Sequence, residues 1–137
     1  MSATNPQEDA QQVAPYQQLG GDTHVRALVD RFYDLLEHEP RYAVVRRLYP
    51  SDLTDARNKL YWYLSGWFGG PNLYIERFGH PMLRARHLPF SIGVVERDAW
   101  LACMGQALSE SGAPAALRGP LEAAFAKTAD WMRNRPE

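Results

Sequence analysis

The chain of 137 residues holds a single cysteine, Cys103. One thiol cannot form an internal disulfide, and no second cysteine completes a zinc motif. A reducing, cytoplasmic setting is the expectation. Excess charge of one sign is equally lacking: 15 Lys and Arg face 16 Asp and Glu, a net charge of −1. A chain so balanced has no basic surplus with which to grip phosphates, so nucleic acid is not an expected partner. Long apolar runs are missing too. The stretch Leu60-Tyr61-Trp62-Tyr63-Leu64 falls far below the length of a membrane span. The first residues combine neither a basic nor an apolar region, and no secretory signal is expected. Neither G-x-S-x-G nor G-x-x-x-x-G-K-[ST] occurs, which removes the common nucleophile elbow and phosphate loop. The four histidines, His24, His38, His80 and His87, form no His-x-x-x-His pair, and no Cys-x-x-Cys-His tract offers covalent haem attachment. Ten Gly and ten Pro are too few for a collagen-like or low-complexity chain.

What is present is helical periodicity. Residues 1–14, rich in Gln, Asp, Asn and Ala, carry no packed face and read as a disordered N-terminal tail, leaving one domain over 15–137. Gly20 and Gly21 break a short first helix that opens near Pro15-Tyr16, and Asp22 or Thr23 is placed to cap the next. Val25, Leu28, Val29, Phe32, Leu35 and Leu36 then recur at helical spacing, opposite Arg26, Asp30, Arg31, Asp34 and Glu37. Pro40 ends this helix. Ser51 or Asp52 can cap another reaching Phe68, with Leu53, Ala56, Leu60, Tyr63, Leu64 and Trp67 on its apolar face. Gly69-Gly70-Pro71 stops it. Dense punctuation up to Pro89 predicts short helical turns joined by loops. Ser91 can cap a long helix to Ser109, carrying Ile92, Val95, Ala99, Ala102 or Cys103, and Met104. A last helix starts near Pro120 and runs past Trp131, with Leu121, Ala124, Phe125, Thr128 and Trp131 inward. No alternating segment competes as a strand and no repeat is present, so the expected fold class is all-α.

The chemistry-bearing stretch is Tyr74 to Phe90, dense in aromatic and basic residues. Taken alone, His87 there reads first as a hydrogen-bonded structural histidine, and Arg84 and Arg86 as a solvated face. Their joint spacing with other blocks changes that reading. Arg31-Phe32-Tyr33, Leu48-Tyr49-Pro50, Trp67-Phe68-Gly69-Gly70-Pro71, Gly79-His80-Pro81, Arg84-Ala85-Arg86-His87-Leu88-Pro89-Phe90 and Glu96-Arg97-Asp98-Ala99-Trp100 follow in order. The series, within Tyr16 to Trp131, resembles the group II truncated haemoglobins.

That resemblance implies a two-over-two helical sandwich enclosing haem b, held without a covalent link. It makes His87 the proximal ligand of the iron, a role that suits neutral imidazole and leaves the opposite position free. The other ring nitrogen is then expected to donate to a backbone carbonyl. Haem propionates call for cations and hydroxyls, and the resemblance nominates Lys59, Tyr74 and Arg86, with His80 either in that set or part of a structural turn. Tyr63, Leu64, Leu83 and Phe90 complete the cofactor-binding set. On the distal side it places Tyr33, Tyr49 and Trp100, with Ala56 where many longer globins carry histidine and Leu60 one turn on. Ala56 cannot donate a hydrogen bond, so hydroxyls and the indole N–H are the candidate donors. Tyr49 either reaches the ligand or stacks on the porphyrin. Without the resemblance, Tyr33 is a boundary aromatic and Trp100 a core filler. Cys103 reads as a small buried hydrophobe.

The function so implied is reversible binding of dioxygen, carbon monoxide or nitric oxide. The alternative is a redox enzyme, dioxygenating nitric oxide or turning over peroxide, which would need an external reductase because the chain encodes no flavin or nicotinamide domain. A haem-free helical interaction domain is the remaining reading. No membrane partner is expected, and the oligomeric state, monomer or homodimer, stays open.

Overall fold

The computed structural model describes residues 13–136, so the expected tail lies almost wholly outside the described residues. Its helices are α1 (Pro15–Leu19), α2 (Asp22–His38), a 3-10 turn (Pro40–Tyr42), α3 (Ala43–Arg46), α4 (Thr54–Trp67), α5 (Leu73–Phe78), α6 (Leu83–His87), α7 (Val94–Glu110) and α8 (Ala115–Trp131). No strand occurs among the described residues. The all-α expectation holds. Helix α2 packs against α7 and α4, and α7 against α8, giving the two-over-two arrangement.

The apolar periodicity of α2 explains this. Val25, Leu28, Val29, Phe32, Leu35 and Leu36 are all buried, as is Tyr33 beside them. They meet Cys103, Met104, Ala107 and Leu108 of α7 in one continuous core that also takes in Leu64, Phe68, Leu121 and Phe125. Burying such side chains contributes about 1.5–3 kcal/mol each, before the entropy of ordering them.

Several helix ends differ from expectation. Gly21, with φ 83°, precedes α2, and Asp22 begins the helix without capping it. Asp22 instead carries a carboxylate that accepts from the Tyr61 hydroxyl. Before α4, Asp52 Oδ1 accepts the N–H of Thr54, the first helical residue, at 2.9 Å, but the cap position itself is Leu53, so neither Ser51 nor Asp52 occupies it. That donated hydrogen bond holds the Asp52 carboxyl below its usual range. Ser91 caps nothing. Helix α7 starts three residues later, after Gly93, whose N–H donates to the Glu96 carboxylate at 2.7 Å. Helix α8 begins at Ala115, with Pro120 inside it: Pro114 supplies the carbonyl that accepts from Leu117 and Arg118, so the earlier proline leads the helix in. The helix ends at Trp131 rather than beyond it.

The expected inward faces need matching corrections. Val95 is 62% exposed because it falls outside the stripe formed by Cys103, Met104, Ala107 and Leu108. Trp131 is 66% exposed, its ring under the Arg84 guanidinium, while Met132 is buried next to it. Ala124 is exposed and Leu117 takes a buried place one turn before Leu121. Between Gly69 and Pro89 the chain forms two short helices joined by loops, as the punctuation predicts. Gly70 is required where α1 crosses the end of α4, since any Cβ there would run into the Tyr16 ring.

Candidate functional site

The core is incomplete on one side. A cleft of about 200 Å³ opens between α3, α4, α6, α7 and α8. Its walls are mostly apolar and aromatic with a few polar groups, the lining that small-molecule and cofactor sites share. Leu60, Tyr63, Leu64 and Trp67 of α4 form one wall. Val45, Leu48 and Tyr49 close one end, Leu83, His87, Phe90 and Ile92 another, and Trp100, Phe125, Thr128, Ala129 and Met132 the remainder. Glu96 and Arg97 are the charged lining residues, and both are engaged: Glu96 with Gly93, Arg97 with Asp98 and Asp130.

His87 has one defined ring contact. Its Nδ1 lies 2.6 Å from the Leu83 carbonyl oxygen, four residues back on α6. A carbonyl only accepts, so Nδ1 is the donor, and the tautomer this contact selects leaves the lone pair on Nε2. The same contact orients the imidazole at the wall of an apolar cleft. Among the described residues no group of three or more His, Cys, Asp or Glu side chains could hold a bare metal ion.

Three aromatics, Tyr33, Tyr49 and Trp100, carry polar atoms at the end of the cleft that Tyr49 closes. Tyr33 is 2% exposed, and its hydroxyl donates to the Ala56 carbonyl at 3.3 Å. Its ring meets Tyr49 edge to face at 5.8 Å, and Phe32 bridges from Tyr33 to Trp100 at 5.0 and 5.4 Å. Burial pushes the Tyr33 phenol well above its ordinary range, with the Tyr49 phenol adding to the rise. Burial raises Tyr49 as well, opposed by the neighbouring Tyr33 hydroxyl and Trp100 indole, which favour its ionised form. All three donors stay protonated and hydrogen-bonding at neutral pH. Burial likewise raises Tyr63.

The sequence-derived residues divide cleanly by position. His87, Tyr49, Trp100, Leu60, Tyr63, Leu64, Leu83 and Phe90 line the cleft. Tyr33 and Ala56 stand behind that wall, joined by their own hydrogen bond. Lys59, Tyr74 and Arg86 do not line it but cluster beside Tyr63. Tyr74 meets the Tyr63 ring at 6.3 Å and Phe78 at 4.9 Å, Lys59 Nζ is 5.9 Å from the Phe78 ring, and the Arg86 guanidinium 6.0 Å from Tyr74. Lys59 is paired with Asp55 at 2.9 Å, and Arg86 donates to the Pro81 carbonyl at 2.8 Å. His80 is exposed and outside the lining. Trp67 and Phe125, stacked at 4.4 Å and 18°, were readable only as core positions, because periodicity marks inward faces and not which inward residues border a space.

Comparison with known proteins agrees with the fold. Residues 14–134 match the family model for bacterial-like globins. The chain is 41% identical over 124 residues to the group 2 truncated hemoglobin YjbI of Bacillus subtilis, covering 90% of this chain and 91% of that one. Its fold superposes on the group II 2-on-2 hemoglobin of Agrobacterium tumefaciens with a TM-score of 0.87 at 42% identity, covering 98% of each chain. With the truncated oxygen-avid haemoglobin of Bacillus subtilis the TM-score is 0.79 at 41% identity, over 89% of this chain and 100% of that one.

Proposed function

The chain belongs to the bacterial-like globin family as a group II truncated haemoglobin, and from that premise we propose that it holds haem b non-covalently and reversibly binds dioxygen, carbon monoxide and nitric oxide. The observation that carries the reading is His87, its Nδ1 proton committed to Leu83 and its second nitrogen left as a ligand beside an apolar cleft. The residues present fit the group. Apolar walls suit a porphyrin, and the aromatic cluster that carries Lys59, Tyr74 and Arg86 next to Tyr63 suits its propionates. Haem supplies an iron with one open coordination position for a diatomic ligand.

The protein's own part is to orient, donate and exclude. Leu83 fixes the His87 ring, and Leu60, Trp67 and Phe125 keep the cleft apolar. Tyr33, Tyr49 and Trp100 provide hydroxyl and N–H donors where Ala56 provides none. Several donors favour retention of a polar ligand such as dioxygen over rapid release, and the oxygen-avid Bacillus subtilis relative supports that choice. A reductase that keeps the iron ferrous, and a cytoplasmic setting, complete the proposal.

Adding hemin to the purified chain and recording the Soret region tests it. Wild-type protein is expected to take up one haem and show a histidine-ligated spectrum that shifts with carbon monoxide. His87→Ala is expected to lose that spectrum. Unchanged haem content and spectra in the variant would reject the assignment.

A further inference from the structure

The helix that carries His87 is only five residues long, starts from Met82 in the left-handed region at φ 49°, and buries none of its residues. A helix so short does not hold itself. What fixes it comes from the other end of the chain. Asn134 Oδ1 accepts the Ile92 N–H at 2.9 Å, while Asn134 Nδ2 donates to the Phe90 carbonyl at 2.6 Å and to the His87 carbonyl at 3.3 Å. Its backbone N–H donates to the Ile92 carbonyl at 2.9 Å, as does Arg135 N–H at 3.1 Å. From α6 itself, Arg84 returns the contact, donating to the Trp131 and Arg133 carbonyls at 2.6 and 3.2 Å.

We propose that Asn134 is a positioning residue for His87: the segment after α8 acts as a clamp that sets the direction of the proximal imidazole, and through it the strength of haem retention. One amide spans three backbone groups from His87 to Ile92, the loop that leaves the histidine. Each bond by itself is modest, but together they remove the freedom of a loop with few buried side chains. The clamp needs both halves of the amide, the oxygen for Ile92 and the NH2 for the two carbonyls. Its link to haem rests on the His87 assignment above; its link to the loop does not.

The test uses the full chain with Asn134→Ala, Asn134→Asp and, as a surface control, Arg135→Ala. Hydrogen exchange of residues 84–92 is expected to quicken about tenfold in Asn134→Ala. Asn134→Asp keeps the acceptor for Ile92 but sets a carboxylate oxygen against the His87 and Phe90 carbonyls, and is expected to quicken exchange at least as much. Haem transfer to excess apomyoglobin should accelerate by a similar factor, and the iron–histidine stretching band in the ferrous resonance Raman spectrum should shift or broaden. Arg135→Ala should move none of these. Wild-type exchange, haem loss and Raman band in both Asn134 variants would overturn the clamp while leaving His87 as ligand. Absence of haem uptake by the wild-type chain would instead overturn the His87 assignment, and the exchange measurement would still decide the clamp.

Discussion

At the scale of single residues, chemistry is decided by which protons stay in place. The Tyr33 and Tyr49 phenols, both raised by burial, and the Trp100 indole form a set of donors engaged only among themselves and, from Tyr33, with the Ala56 carbonyl at a long 3.3 Å. A donor that gains a polar, partly charged partner contributes about 1.5–3 kcal/mol, which corresponds to roughly 10- to 100-fold in a dissociation rate. Replacing Tyr33 and Trp100 together with phenylalanine is therefore expected to speed oxygen dissociation by at least about tenfold in stopped-flow measurements, with a smaller effect on carbon monoxide, which is less polarised. Equal rates in variant and wild type would remove the hydrogen-bond explanation. Cys103 illustrates the opposite outcome. It is fully buried against the Phe32 carbonyl, and burial pushes its thiol up to about 12. The thiolate is the reactive species. The folded protein is thus expected to show no reaction with a thiol-disulfide reagent at pH 8, and one thiol per chain once unfolded in guanidinium.

Elements were legible wherever a side-chain period had to satisfy a packed partner, and less so at their ends. The α2 stripe of Val25, Leu28, Phe32 and Leu36 could be read directly, because a helix that buries one face must repeat apolar residues near every third or fourth position. Helix starts were misplaced at Ser91 and Pro120, where residues with good capping or first-turn statistics lie near a boundary but Glu96 and Pro114 do the work. Pro120 shows why: an exposed proline in the second turn forfeits one hydrogen bond, which tertiary packing of Leu117 and Leu121 on either side of it outweighs. Of the site, the blocks around His87, Tyr49 and Trp100 were recognisable from sequence, whereas Asn134 gave no signal, since it lies beyond the last periodic position and acts through hydrogen bonds to backbone 42 or more residues away. Phe32 is the element-level test. It is fully buried in the middle of α2 and touches both Tyr33 and Trp100 rings. Phe32→Ala is expected to cost about 3–5 kcal/mol in urea unfolding. Leu101→Ala on the half-buried side of α7 should cost less, because that position already borders open space.

For the whole molecule, the same burial that keeps the tyrosines neutral ties folding to alkaline pH. In the unfolded chain a phenol ionises near pH 10, whereas Tyr33 and Tyr49 in the fold ionise only above that, driven first by desolvation. Between those values the folded protein binds more protons than the unfolded one. Stability must then fall as pH rises. The sign is fixed by the direction of the shift: the contribution is complete below about pH 10 and is lost as pH climbs through the raised folded values. The surface pairs Arg97–Asp130 and Arg31–Glu110 do not offset this, because arginine keeps its charge there and exposed pairs contribute little. Urea midpoints are expected to begin declining near pH 9, where the Cys103 thiol ionises in the unfolded chain but not in the fold, and to fall more steeply above about pH 10 as the phenols join it. Tyr33→Phe removes one of several raised phenols, since burial raises Tyr42, Tyr61 and Tyr63 as well, so its decline should be shallower, even if the lost hydroxyl makes it slightly less stable at pH 8. Parallel curves for the two proteins above pH 10 would show that Tyr33 does not carry the alkaline limit.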